Sequence, residues 1–355
     1  MDYASLVPVP DVMPVNWIWL QLLLTLTTFL HLVAMNIMLG TGVIAFANLH
    51  RQDNTAQPLC RQIAKTIPFA IAMTVNLGVA PLLFLQVLYG QFFYTSSVLM
   101  GVYWLAVVGV LIIAYYSAYI FNLRQERPAD GKAFIGVAVV LLAVVGFIFA
   151  NNVSLMQMPE SWAAYFEARD GRLLNFSDRA LIPRYLHFIA SAVAVGGLAV
   201  ALYYEFRKRA GDSGAGRWIR QGCNWFTIAT IVNYPIGFWF LGMLPEPIRD
   251  PAAMGNRLFF FMVIISTFAG IKAVIHSQLS RVFPAVGWTL ASILFMTIAR
   301  DLARVAYLRP YVNLADLPVT PQYSPFILFL IFLAGGLCLV YWMLKTVFSA
   351  KEVQS

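Results

Sequence analysis

Long apolar runs along this chain are broken by short polar interruptions, and few of the runs carry a charge in their middle. A stretch of roughly 20 apolar residues suffices to cross the hydrocarbon of a bilayer as a helix. That template predicts about nine spans, near 17–48, 66–90, 98–122, 134–151, 183–206, 221–244, 257–279, 284–306 and 325–348. The expected architecture is all-α: one polytopic transmembrane helix bundle over residues 1–355, with no separate soluble domain. Any aqueous redox or catalytic domain then belongs to another chain.

Charge in the interruptions sets the expected orientation. One set of loops holds Arg51, Arg61 and Lys65, then Arg124, Arg127 and Lys132, then Arg207 to Arg209 with Arg217 and Arg220, then Arg281. The opposite set holds most of the acids: Glu160, Glu167, Asp170, Asp178, Glu246, Asp250 and Asp316. Basic loops stay on the cytoplasmic side, so the N-terminus is expected outside and the C-terminus inside, in the cell inner (cytoplasmic) membrane. The longest outer connection, 152–182, is long enough for a short interfacial helix over the bundle; the next, 245–256, is much shorter. The opening "MDYASLVPVPDVMPVNW" lacks a positive n-region and a small-residue cleavage site, so the first span is expected to belong to the mature protein.

Composition narrows the class further. Hydrophobic residues make up 60% of the chain and charged residues 11%, against about 25% charged in a soluble domain. Mean hydropathy is +0.74. The formal charge of +8 sits in the short loops, where topology accounts for it, and no nucleic-acid partner is implied. Cys60, Cys223 and Cys338 form no CxxC or CxxCH pattern. They offer no iron–sulfur cluster, covalent c-type haem or disulfide framework within the chain.

The candidate chemistry lies in ionisable residues at membrane depth, which are costly there and mark function by default. Of four histidines, His50 and His276 fall near cytoplasmic helix ends, where solvation or snorkelling explains them. His31, in "FLHLVAMNIMLG", and His187, in "YLHFIASAVAVGG", are set among apolar residues. A buried imidazole needs a partner for its lone pair: haem iron supplies one, and an interhelical hydrogen bond is the alternative. Met262 lies at a depth similar to His187, and a thioether paired with imidazole holds an electron-transfer haem; with 13 methionines in the chain, packing is the competing reading. Arg184, Arg257, Arg300, Arg304 and Arg309, with Asp301 beside them, gather near the outer ends. Guanidinium groups there suit haem propionates, or they snorkel to lipid headgroups.

These phrases resemble a known family. "LTTFLHLVAMNIMLG" is similar to the first-helix ligand segment of cytochrome bd quinol oxidase subunit I, and "RYLHFIASAVAVGGLAVALYY" is similar to its fifth helix. "NNVSLMQMP" and "NLGVAPLLFLQVLYG" resemble two further stretches of that subunit. The resemblance implies that His187 and Met262 bind a low-spin haem b near the outer face, and that His31 corresponds to a ligand of the family's oxygen-reducing haem pair.

The sequence also departs from the family. The third span, "VLMGVYWLAVVGVLIIAYYSAYIF", carries none of the family's glutamates, and the late helix reads "RDLARVAYLRPY" where the family has a glutamate before Gly-Arg-Gln-Pro-Trp. The family's long quinol loop is replaced by "PEPIRDPAAMGN". Reduction of oxygen at a buried site needs protons delivered there, and the missing carboxylates remove the relay. The reading is therefore a haem b membrane subunit with one or two b haems, exchanging electrons between quinone and an outer-face c-type cytochrome or iron–sulfur subunit, alongside other membrane subunits and without oxygen reduction. Two other readings stand beside it: a divergent quinol:oxygen oxidoreductase subunit, and a haem-free transporter or structural subunit.

Overall fold

The structure is a computed structural model, describing residues 3–49, 57–124, 128–167 and 169–352. His50 and Arg51 lie outside the described residues, as does Arg127. In chain order the helices are α1 (Trp17–Leu49), α2 (Gln57–Leu99), α3 (Gly101–Leu123), α4 (Pro128–Gln157), α5 (Leu181–Arg209), α6 (Ala215–Met243), a single turn α7 (Glu246–Arg249), α8 (Met254–Gln278), α9 (Val282–Leu308) and α10 (Tyr323–Glu352). Among the described residues, nine of them are long and apolar enough to cross a membrane, and the chain is a multi-pass membrane protein. The described residues form no strands, only an isolated bridge between Met13 and Val319.

The helices run past their apolar stretches. α2 covers 57–99 where the hydropathy pattern predicts 66–90, because Gln57, Arg61, Gln91 and Thr95 continue the helix on either side of the apolar run. At 1.5 Å per residue its length is about 65 Å, roughly twice a hydrocarbon core. It is not straight: Tyr89 leaves helical geometry at φ −136° and ψ 32°, and Pro68 and Pro81 lie within it.

Two interlocking groups build the bundle, α1 with α2, α4 and α5, and α6 with α5 and α8, while α9 packs on α8. Small residues let α1 and α5 touch backbone to backbone, since a Cβ at Gly40 would run into the Ala192 carbonyl and one at Gly196 into Gly40. That contact fixes α1 and α5, the two helices that carry His31 and His187, against each other.

One end of the bundle is capped. The N-terminal segment pairs with the α9–α10 connection through Met13 N–H to Pro318 O (2.9 Å) and Thr320 N–H to Met13 O (2.9 Å). The connection after α4 forms a 3-10 helix, Pro159–Phe166, in the place expected for a short interfacial helix. Its Trp162 is buried and donates from Nε1 to Leu155 O at 2.8 Å. The same connection ties onto the junction of α2 and α3 through Leu173 N–H to Leu99 O and Val102 N–H to Gly171 O. The short 245–256 connection contains α7, whose Ile248 packs with Leu244, Phe259 and Ala299.

Candidate functional site

His31 sits well inside α1, about 21 Å from its first residue at helical rise. Its Nδ1 lies 3.1 Å from the Thr74 carbonyl of α2. A carbonyl can only accept, so Nδ1 carries the proton and Nε2 keeps the lone pair. The ring fits because residue 78 is glycine: a Cβ there would stand 2.9 Å from Cε1 and 3.1 Å from Nδ1. One turn of α2 thus supplies both the acceptor and the room. Thr74 itself turns its hydroxyl back to the Ala70 carbonyl.

His187 lies about 9 Å into α5 from the capped end. Its ring faces α6, with Nδ1 and Cε1 each 3.3 Å from where a Cβ on Gly237 would stand, and with the Phe240 ring 6.4 Å away between centroids. Nδ1 has no hydrogen-bond partner. The polar residue against the ring is Asn233, whose side chain and backbone lie within interaction range of the imidazole and whose Nδ2 donates to Ser191 Oγ at 2.8 Å. Both histidines are partly accessible rather than sealed by protein.

Arg184, one turn before His187 on the same face of α5, is buried at 7% exposure. Its guanidinium lies 5.6 Å from the centroid of Phe240, the ring that also flanks His187. Its Nη2 pairs with Asp178 Oδ2 at 3.4 Å, and its Nη1 is buried without a partner. Met262 on α8 belongs to the apolar cluster that contains Phe240, together with Val263 and Tyr307. Phe240 is therefore the shared neighbour of His187, Arg184 and the Met262 cluster.

A second polar group joins α1, α2 and α9. Asp301 accepts from Thr25 Oγ1 (2.6 Å) and Gln21 Nε2 (3.1 Å) and pairs with Arg304 at 3.0 Å. Arg304 is 1% exposed, lies over the Tyr89 ring at 5.4 Å and keeps an unpartnered Nη1. Tyr89 is where α2 leaves helical geometry, so the break is filled by a guanidinium. Arg300, half-buried on the same helix, is within electrostatic range of Arg184, Arg304, Asp301 and His31, and so lies between the two groups.

The sequence-predicted residues thus divide. Arg184 and Arg304 are buried cations, each paired with a carboxylate, Asp178 and Asp301, and half-buried Arg300 lies within electrostatic range of both. Arg257 and Arg309 stand exposed at the ends of α8 and α9, with Arg257 Nη2 3.7 Å from Met254 Sδ. Thr74, Gly78, Asn233, Gly237, Tyr89 and Asp178 belong to the site but carry no signal by type or spacing; only folding brings them to the histidines and arginines. His276 is partly buried at the other end of α8, with Nδ1 unpartnered. A surface cavity of about 450 Å³ lined by Gly216, Arg217, Arg220, Gln221 and Asn224 lies at the start of α6, the opposite end of that helix from Gly237 and Phe240.

The residues present fit a haem. His31 keeps a ring nitrogen outside its contact with Thr74, His187 Nδ1 is unpartnered, and Arg184 Nη1 and Arg304 Nη1 at the same end lack acceptors. A porphyrin with iron-binding and carboxylate ends meets each of these needs. Among the described residues no cluster of three or more His, Cys, Asp or Glu suits a bare metal ion.

No protein-family model matches the sequence, and no curated protein matches it. Among solved structures, the chain is similar to a chain of the bd oxidase from Geobacillus thermodenitrificans, with a TM-score of 0.66 at 14% sequence identity, over 92% of this chain and 96% of that one. The likeness is one of fold, and it spans nearly the whole bundle.

Proposed function

We propose that this chain is a haem b-carrying membrane subunit of a quinol-linked oxidoreductase, exchanging electrons between the quinone pool and a redox partner at the capped face. The capped face is the outer one by the charge of the loops, and the partner is a c-type cytochrome or an iron–sulfur protein. The observation that carries the reading is that His187 and the buried, incompletely partnered Arg184 both lie against one ring, Phe240. When bound, a b haem supplies one-electron chemistry. His187 and Met262 would hold the iron of one haem, and His31, with its proton fixed on Nδ1 by Thr74, would hold a second. Arg184, Arg300 and Arg304 would take the propionates. The fold likeness to a bd oxidase supports a respiratory role.

That likeness also favours a second reading, a divergent quinol:oxygen oxidoreductase. Against it, α3 carries no carboxylate, and the one aspartate deep in α9, Asp301, is already engaged by Thr25, Gln21 and Arg304. A reduced-minus-oxidised spectrum of the purified chain with a pyridine haemochrome count tests the proposal. One or two b haems with no d-type band is the expected result. Folded protein without haem would refute it, and quinol-driven oxygen consumption by the complex would install the second reading.

A further inference from the structure

We propose that Asp178 is a positioning residue that sets the charge and direction of Arg184 toward the haem, and that the connection between α4 and α5 is built to hold it. The inference rests on the haem-binding reading above and concerns this chain's own residues.

Asp178 is buried at 6% exposure, and donors from Ala180, Ser154 and Arg184 face its carboxylate. Its Oδ1 accepts the Ala180 N–H at 2.8 Å, and its Oδ2 accepts Ser154 Oγ–H at 2.6 Å and faces Arg184 Nη2 at 3.4 Å. Ser154 in turn accepts from Asn175 Nδ2 at 3.0 Å, and Asn175 Oδ1 accepts from the exposed Ser177 at 2.6 Å. The Asn175 N–H is held by Asn151 Oδ1 at 3.2 Å. A string of side chains therefore runs from the capped surface to one carboxylate, with Asn151 and Ser154 fixed in the last turns of α4. Amides in the string orient but do not relay protons, so its work is to fix geometry.

The geometry decides what Arg184 offers. Asp178 takes one guanidinium nitrogen and leaves Nη1 buried and unpartnered, on a guanidinium that lies 5.6 Å from the Phe240 centroid with the Tyr307 hydroxyl against it. The other polar groups facing this pair are Tyr307 and, farther off, Arg300 on α9, and Glu160 in the 3-10 helix, which accepts from Tyr311. Positive charge near a haem favours its reduced form, and negative charge favours its oxidised form. Asp178 thus lowers the potential that Arg184 alone would impose.

The test is a redox titration of the purified full chain in nanodiscs, read at the b-haem α band. Asp178→Asn is expected to keep its haem and raise the midpoint potential. Arg184→Gln is expected to lower it and to weaken haem retention on the order of tenfold. Asp178→Glu should return the potential toward wild type, and Ser154→Ala, which removes a donor but no charge, should move it least. A merely structural role would shift Asp178→Asn and Arg184→Gln the same way, through loosened packing. Shifts in the same direction with haem retained overturn the inference alone; a wild-type chain without haem removes the reading beneath it. If Asp178→Asn fails to accumulate, Arg184→Gln carries the test, and a potential that does not fall refutes the inference.

Discussion

Gly78→Ala isolates the room that α2 makes for His31. The new Cβ would stand 2.9 Å from Cε1 and 3.1 Å from Nδ1, closer than the roughly 3.5–4.0 Å at which carbon atoms rest. The ring must retreat by about half an ångström or more, which stretches the 3.1 Å contact to the Thr74 carbonyl past bonding distance. Overpacking costs about 1–3 kcal/mol and the lost hydrogen bond about 0.5–1.5 kcal/mol, while alanine returns about 1 kcal/mol of helix propensity. The net expectation is destabilisation by about 1–3 kcal/mol, a fall in Tm of a few degrees. Thermal unfolding of the purified variant reads it, with two controls. Gly109→Ala, on α3 with nothing within 4 Å of its Cβ, should be neutral or stabilising; Gly237→Ala, whose Cβ meets His187 at 3.3 Å, should fall between. If Gly78→Ala is as stable as Gly109→Ala, the close seating of His31 on α2 is wrong. The haem reading adds that Gly78→Ala perturbs the band assigned to His31 and leaves that of His187 intact.

His187→Ala is expected to abolish the low-spin haem spectrum, and Met262→Leu to leave a haem that is high-spin or lower in potential; a spectrum unchanged in both would overturn the ligand assignment. Thr25→Val deletes the 2.6 Å donor to Asp301 and should destabilise the chain by about 1.5–3 kcal/mol, read by thermal unfolding, with no change serving as refutation. Arg304→Gln leaves Asp301 buried without its cation and should cost about 3–5 kcal/mol. Arg257→Gln and Arg309→Gln, at exposed positions, should stay within about 0.5 kcal/mol of wild type and keep the haem spectrum; a loss of haem in either would place it back in the site.

The fold was legible because its determinant is one-dimensional. A helix that must satisfy its own backbone in lipid announces itself as an apolar run of fixed minimum length, and nine such runs become nine spans. What hydropathy misses is structure outside the hydrocarbon: the added turns of α2, the 3-10 helix over α4, and the pairing of residues 13–14 with 318–322. At the site, types that are rare at depth stood out, so His31, His187, Arg184, Arg300 and Arg304 could be singled out from sequence. Their supports could not. Asn233 and Asp178 are ordinary polar residues until folding sets one beside His187 and the other against Arg184, and Gly78 is one glycine among 23. Arg257 and Arg309 show the converse limit, since nearness to a helix end does not say which side of the helix faces inward.

The distribution of unmet polar atoms separates a haem subunit from a bundle in which the histidines only bridge helices. Bridging predicts that each buried polar atom finds its partner within the protein, because a membrane offers no other. His31 behaves that way at Nδ1, but Arg184 Nη1 and Arg304 Nη1 meet no partner, while the Tyr307 and Tyr89 hydroxyls have those same guanidinium groups beside them. At about 1–3 kcal/mol for each unmet group, the two guanidinium nitrogens amount to about 2–6 kcal/mol, a sizeable part of the stability of a typical domain. Both lie toward the capped end, near the start of α5 and the end of α9, while other unpartnered atoms such as Asn36 Oδ1, Asn122 Oδ1 and His276 Nδ1 lie elsewhere in the bundle. The proposed haem would offset these two donors with its carboxylates, so the proposal predicts that haem-loaded protein unfolds at a higher temperature than haem-free protein, and equal thermal stability of the two would favour the reading in which the histidines only bridge helices.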